Sequence, residues 1–145
     1  MLVREAGSRD LEGIAALFGQ LGYPNDPARL AARFAAADPA DPAANMQVLV
    51  ADDGGTVAGV AVVHVVTPLH VPDRWALLSA LVVDDARRSA GTGAALMRAA
   101  EEWAVAHGCA QLELSSNVAR TRAHQFYERQ GYREKRVRFV KALVR

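Results

Sequence analysis

The sequence is short of several things, and each shortage removes a class of protein. It holds one cysteine, Cys109. No disulfide can close within the chain, so an oxidising compartment is not required. No apolar run is long: Val57 to Val66 is the longest and is broken by Gly59 and His64. A membrane-spanning helix needs roughly 20 apolar residues, so no membrane segment is expected. Arg4 and Glu5 stand within the first five residues, where an export signal would have an apolar core. The expected location is therefore the cytoplasm. Neither sign of charge dominates: the formal net charge is +1, which offers no global case for a nucleic-acid binder.

What is present suits one globular domain over residues 1–145. A chain of 145 residues buries roughly 70% of the surface its unfolded form exposes, enough for a core without staples. Hydrophobic residues make up 51% and charged residues 23%, the balance of a folded protein and not of a disordered one. The small net charge hides an asymmetry. From Val118 onward nine Lys and Arg face only Glu128 and Glu134, a local +7 that leaves −6 on the rest of the +1 total. Segregated charge suits an anionic partner, although solvated surface faces would show it too.

Hydrophobic spacing and turn residues divide the chain. Val3 and Arg4 open a short strand. Ser8 is placed as an N-cap for a helix whose apolar face is Leu11, Ile14, Leu17, Phe18 and Leu21. Asp26-Pro27 pairs a cap with proline at the first helical position, ahead of Leu30, Ala31 and Phe34. Two valine-rich strands, Gln47 to Ala51 and Thr56 to Val66, flank Asp52-Asp53-Gly54-Gly55, a hairpin turn. Trp75 to Val83 is a further strand, apolar enough to be buried on both faces. A helix runs from about Gly91 to His107, with Leu96, Ala100, Trp103 and His107 on one face, and Gly108 ends it. Leu112 and Leu114 mark a strand, and Arg120 to Gln130 a short helix closed by Gly131. Val137 and Phe139 alternate with Arg136 and Arg138 in a last strand. The order β-α-α-β-β-β-α-β-α-β means an α/β (α+β) fold with a mixed sheet and about four helices.

The segment Asp84 to Gly93 carries the chemistry. A strand ends at Val83, a polar loop follows, and a helix starts near Gly91. A helix start exposes unpaired N–H groups and about half a positive charge. Glycines let an anion approach the backbone, and Arg87 and Arg88 add cations. This suits a pyrophosphate. A dinucleotide fingerprint would need glycine where Leu96 stands, and a P-loop would need Gly-Lys-Ser/Thr, which is absent.

Arg88-Ser-Ala-Gly91-Thr-Gly93, the preceding Leu81-Val82-Val83, Ser116-Asn117, and the block Ala123-His-Gln-Phe-Tyr127-Glu-Arg-Gln-Gly-Tyr132 together resemble the GCN5-related N-acetyltransferase superfamily. The order of elements resembles it as well. Within it, LSSNVARTRAHQFYERQGY and the ending RFVKAL are similar to small-amine acetyltransferases, of aminoalkylphosphonate- and aminoglycoside-modifying type. The resemblance implies a mostly antiparallel mixed sheet whose two parallel neighbours, Trp75–Val83 and Gln111–Ser115, splay apart. It implies acetyl-CoA as co-substrate in that gap. Backbone at Leu81, Val82 and Val83 would meet the pantetheine arm, and Arg88, Ser89, Ala90, Gly91, Thr92 and Gly93 the pyrophosphate. Asn117 would contact the same ligand, and Tyr127 would be the general acid. A homodimer is common among such relatives.

The chemistry sets its own demands. An alkyl ammonium has a pKa near ~10 and must lose a proton before it attacks a thioester. The leaving thiolate benefits from a donor, and a tyrosine hydroxyl, neutral at pH 7, can serve. Relatives often carry a glutamate in the strand before the turn, but Leu77, Ser79 and Ala80 stand in those places here. Ser79 could order a water. His70, in a loop able to border the acceptor, is the titratable candidate beside it, and His64 reads as a core histidine. Two histidines without carboxylate partners make no metal site. The expected function is acetyl transfer from acetyl-CoA to the primary amine of a small molecule, by direct attack in a ternary complex. The alternatives are an acyl-CoA-sensing module without turnover and an acetyltransferase of protein N-termini or lysines. A nucleic-acid binder would use the basic C-terminal third, but no stacking-aromatic motif accompanies it.

Overall fold

A computed structural model describes residues 1–41, 43–87, 90–116 and 120–144. They form two compact units, Met1–Ser115 and Ser116–Arg145. In the first, strands β1 (Leu2–Glu5), β2 (Met46–Asp53), β3 (Thr56–Val66), β4 (Arg74–Val83) and β5 (Cys109–Leu114) make one sheet in sequence order. All neighbours are antiparallel except β4 and β5, which are parallel. Helices α1 (Leu11–Leu21) and α2 (Pro27–Ala37) precede β2, and α3 (Thr92–Ala106) joins β4 to β5. The second unit carries α4 (Thr121–Arg129).

The apolar spacing of α1 does what its period requires. Leu11, Ile14 and Leu17 pack on Val48, Val50, Val60 and Val82, with Leu30, Ala31 and Phe34 of α2 against the same cluster. Burying each such side chain contributes about 1.5–3 kcal/mol. On the other face Leu96, Met97, Ala100 and Ala104 of α3 are buried, and α3 touches β3, β4 and β5. Gly59 makes that approach close. A Cβ there would stand 2.8 Å from Leu96 Cδ1 and 3.2 Å from Thr92 Cγ2.

Polar groups hold the ends. Asp26 accepts from the Ala28 N–H at 3.0 Å, with Pro27 at the first helical position. Ser8 is not a cap: it opens a 3-10 turn, Ser8–Asp10, that runs into α1. The carboxylate that organises this entry is Asp10, only 5% exposed. It accepts from the Gly7 N–H at 2.7 Å and from the Arg4 guanidinium at 2.8 and 2.9 Å. Arg4, which also reaches Asp52, holds the Asp10 carboxyl below the usual carboxylate range. At the other end of α1, Gln20 accepts from the Asp85 N–H at 3.0 Å and donates to Asp84.

Two expectations about strands also fail. β4 is not buried on both faces, since Leu77 and Ser79 are exposed. The last strand is also missing: among the described residues, 133–144 take no regular structure. Val137 is 74% and Phe139 94% exposed. Alternation states which side chains would share a face if a strand formed. It supplies no ladder partner, and without one the segment is not a strand.

Candidate functional site

The site begins where β4 and β5 part. Their ladder runs from Arg74↔Cys109 to Leu78↔Leu114 and, among the described residues, stops there. β4 continues to Val83, still paired with β3 through Val83↔Gly59. Residues 80–83 therefore pair on one edge, and from Ser79 to Val83 the edge toward β5 has no strand among the described residues. An extended chain of amide groups can bond to such an edge as a strand would. Leu81, Val82 and Val83 lie in this stretch. Val82 points its side chain into the α1 cluster, so its part in any binding there is by backbone.

The start of α3 closes the far end of this stretch. Thr92 opens the helix and stands over Gly59, the partner of Val83. The residue before it, Gly91, is left-handed, with φ +81° and no side-chain cap. Apart from its two chain neighbours, no atom of the described residues lies within 4 Å of the place a Cβ would take at Gly91. Among the described residues no side chain caps the first amides of α3, and an anion can meet them there, which fits a pyrophosphate. Ala90 and Gly91 are exposed, and Thr92 is buried. Arg87 is less free than its position suggests, because it pairs with Asp53 and Asp84. Arg88, Ser89 and Asn117 lie outside the described residues. Past the end of β5, Ser116 Oγ is buried with no hydrogen-bond partner among the described residues.

A variant tests the turn. Gly91→Val places a branched side chain in the left-handed region, at about 1–2 kcal/mol, and fills the open space. We expect coenzyme A affinity, read by calorimetry, to fall about tenfold or more, since 1.4 kcal/mol is one decade. Unchanged affinity would remove the phosphate from this turn.

Ser79 is the extra residue of a β-bulge: Val62 faces Ala80 and Val63 faces Leu78. Its hydroxyl lies 2.6 Å from His64 Nε2. His64, on β3, is half-buried, and burial lowers its pKa from the usual 6.5. It is not the enclosed core histidine its apolar strand suggested. His70 is exposed in the 67–73 loop, its ring edge-on to Trp75 at 6.3 Å between centroids. The structure therefore joins Ser79 to His64 and sets His70 against Trp75. Only the bulge could have signalled this pairing, and a bulge leaves no mark in composition or period.

In the second unit, Tyr127 lies on α4 with its ring edge-on to Phe126 and Tyr132. The Tyr132 N–H bonds the Tyr127 carbonyl at 3.0 Å. Burial raises the Tyr127 hydroxyl pKa above 10, with Arg120 opposing the shift. The hydroxyl is therefore protonated at neutral pH and able to donate. Cys109 is partly buried, and burial raises its thiol pKa as well, the opposite of an activated nucleophile. Among the described residues there is no cluster of His, Cys, Asp and Glu able to hold a metal ion, and no helix is long and apolar enough to cross a membrane.

Residues 14–132 match the model of the acetyltransferase (GNAT) family. An aminoalkylphosphonate N-acetyltransferase of Salmonella typhimurium is 36% identical over 99 residues, which span 68% of this chain and 64% of that protein. A putative acetyltransferase from Agrobacterium tumefaciens superposes with a TM-score of 0.86 at 26% identity, over 99% of this chain and 100% of that one. An aminoglycoside N-acetyltransferase in complex with CoA has the same fold, with a TM-score of 0.78 at 18% identity over 99% and 100% of the two chains.

Proposed function

The chain belongs to the GNAT acetyltransferase family, and from that premise we propose that it moves an acetyl group from acetyl-CoA to the primary amine of a small molecule. The observation that carries this reading is, among the described residues, the parting of β4 from β5 after Leu78, beside a helix start without a side-chain cap. The edge of 79–83 takes the pantetheine arm, and the amides after Gly91 take the pyrophosphate. From Val83 back to Ser79 is four residues, about 13 Å of strand, so a thioester at the far end of the arm comes to the bulge. Transfer is direct. The amine nitrogen attacks the thioester carbon, a backbone N–H of the unpaired edge steadies the oxyanion, and the C–S bond breaks. Tyr127 gives the thiolate its proton.

The relative named for aminoalkylphosphonates supports a small acceptor carrying both an amine and an anion. The test is release of coenzyme A thiol from acetyl-CoA in the presence of a panel of amines, with aminomethylphosphonate first and a lysine peptide included. We expect acetylation of a small amine, seen as a mass gain of the acceptor. Binding of acetyl-CoA without turnover on any amine would favour a sensing module, and transfer only to the peptide would favour a protein acetyltransferase.

A further inference from the structure

The direct transfer proposed above needs a group to take the ammonium proton, and no carboxylate stands on β4 to do so: the strand reads RWALLSALVV. What β4 has instead is an extra residue. The bulge inserts Ser79 where the β5 ladder has just ended. Bulges re-aim side chains, and this one sets Ser79 Oγ against His64 Nε2 at 2.6 Å. His64 shares a face of β3 with Val60 and Val62 by the alternation of the strand, and both pack toward α1. Among the described residues that face is left uncovered at the bulge, since Leu77 and Ser79 are exposed beside the half-buried ring. An amine can reach the hydroxyl from solvent, while the imidazole stays behind it.

We propose that Ser79 and His64 form the proton-accepting pair of this acetyltransferase, with Ser79 touching the amine and His64 holding the proton. The bound ammonium passes one proton to Ser79 Oγ as the hydroxyl proton moves to His64 Nε2. The freed lone pair forms the C–N bond to the thioester carbon. The C–S bond then breaks, and the thiolate leaves with a proton supplied by the general acid. The nitrogen's second proton replaces the one that the acid gave. The products are the amide, the free thiol and an imidazolium that returns its proton to water. No oxidant, metal or covalent acetyl-enzyme is required.

His64 is suited to this because it is neutral in the folded protein. Its lowered pKa has burial as its cause. The residues opposite it, Met46 on β2 and Leu77 on β4, do not titrate. Ser79 is its polar neighbour. The helices of this face carry Glu12 on α1 and Arg29 and Arg33 on α2. Below its lowered value the ring is protonated and accepts nothing, so activity is lost as pH falls through that value.

The proposal rests on the acetyltransferase reading, and one experiment separates the two. The kcat/KM for the amine is measured from pH 5.5 to 10 for the wild type, His64→Gln, Ser79→Ala and Ser79→Thr, with aminomethylphosphonate or whichever amine of the panel the wild type acetylates. We expect the wild type to rise to a plateau above an acid limb at or below the ordinary histidine range. His64→Gln and Ser79→Ala lose the plateau and climb about tenfold per pH unit, because they use only free amine. They fall about 10²-fold below the wild type at pH 7, the size of a general-base effect, and converge with it at pH ~9. Ser79→Thr keeps the plateau, and the KM for acetyl-CoA stays within about threefold throughout. Either variant retaining the wild-type profile overturns the pair, as does an equal loss at every pH, which marks a structural role. Acetylated Ser79 in protein mixed with acetyl-CoA alone overturns it too. A wild type that binds acetyl-CoA and acetylates no amine overturns the acetyltransferase reading itself, and the pair with it.

Discussion

In the Tyr127→Phe variant, turnover falls by about 10²–10³ while the KM for acetyl-CoA moves by less than about threefold, as expected when a proton donor acts in the transition state alone. The substitution removes one oxygen and keeps the ring that lies against Phe126 and Tyr132. Helix α4 has little reason to change. The phenol is suited to donating because burial keeps it protonated well past neutrality. In the proposed transfer, a thiolate without that donor must leave unprotonated or wait for water. The deficit should shrink with a substrate whose leaving thiol is more acidic, since such a thiolate needs the proton less. Steady-state rates with acetyl-CoA and with an activated aryl thioester would show this. Unchanged turnover would remove Tyr127 from the reaction.

Gly59→Val has the largest expected effect on the folded state. Its Cβ would stand 2.8 Å from Leu96 Cδ1, 3.1 Å from the Val82 carbonyl oxygen and 3.2 Å from Thr92 Cγ2. Leu96 could turn aside, but the carbonyl belongs to β4 and cannot. Helix α3 must lift from the sheet at its first turn. Overpacking of this kind costs about 3 kcal/mol, which for a chain of this size lowers Tm by roughly 10 °C. Because Thr92 is the first residue of α3, the amides after Gly91 move with it, and coenzyme A affinity falls together with Tm. A melting curve like the wild type's would mean that α3 does not sit on Gly59.

Local rules that need only near neighbours were readable in the sequence. The spacing of Leu11, Ile14 and Leu17 predicts α1, Asp26-Pro27 predicts the start of α2, and Asp52-Asp53-Gly54-Gly55 predicts the hairpin. The structure bears out each of these, with the Gly55 N–H on Asp52 at 2.7 Å. Gly108 also ends α3 in the left-handed region, at φ +75°. Properties that depend on distant partners were not readable. The alternating Val137 and Phe139 predict a strand, yet the strand needs a neighbour that periodicity does not supply. His64 looks like core because its neighbours in sequence are apolar. What frees it is exposure of Leu77 and Ser79 on the next strand, thirteen and fifteen positions away. The anion turn stood out because Gly91 and Gly93 follow an apolar strand. The engagement of Arg87 by Asp53 did not, since it joins positions 34 apart.

The extra residue at Ser79 also governs how β4 tolerates change in length. A bulge absorbs one residue without altering the ladder on either side, since Val63 faces Leu78 and Val62 faces Ala80 with Ser79 between them. Losing that single position would join the two pairs into a regular ladder and leave Ala76 and Leu78 on the side where they are now buried. Ser79 is thus a place where β4 can shorten by one residue and keep its inner wall, while the contact with His64 disappears.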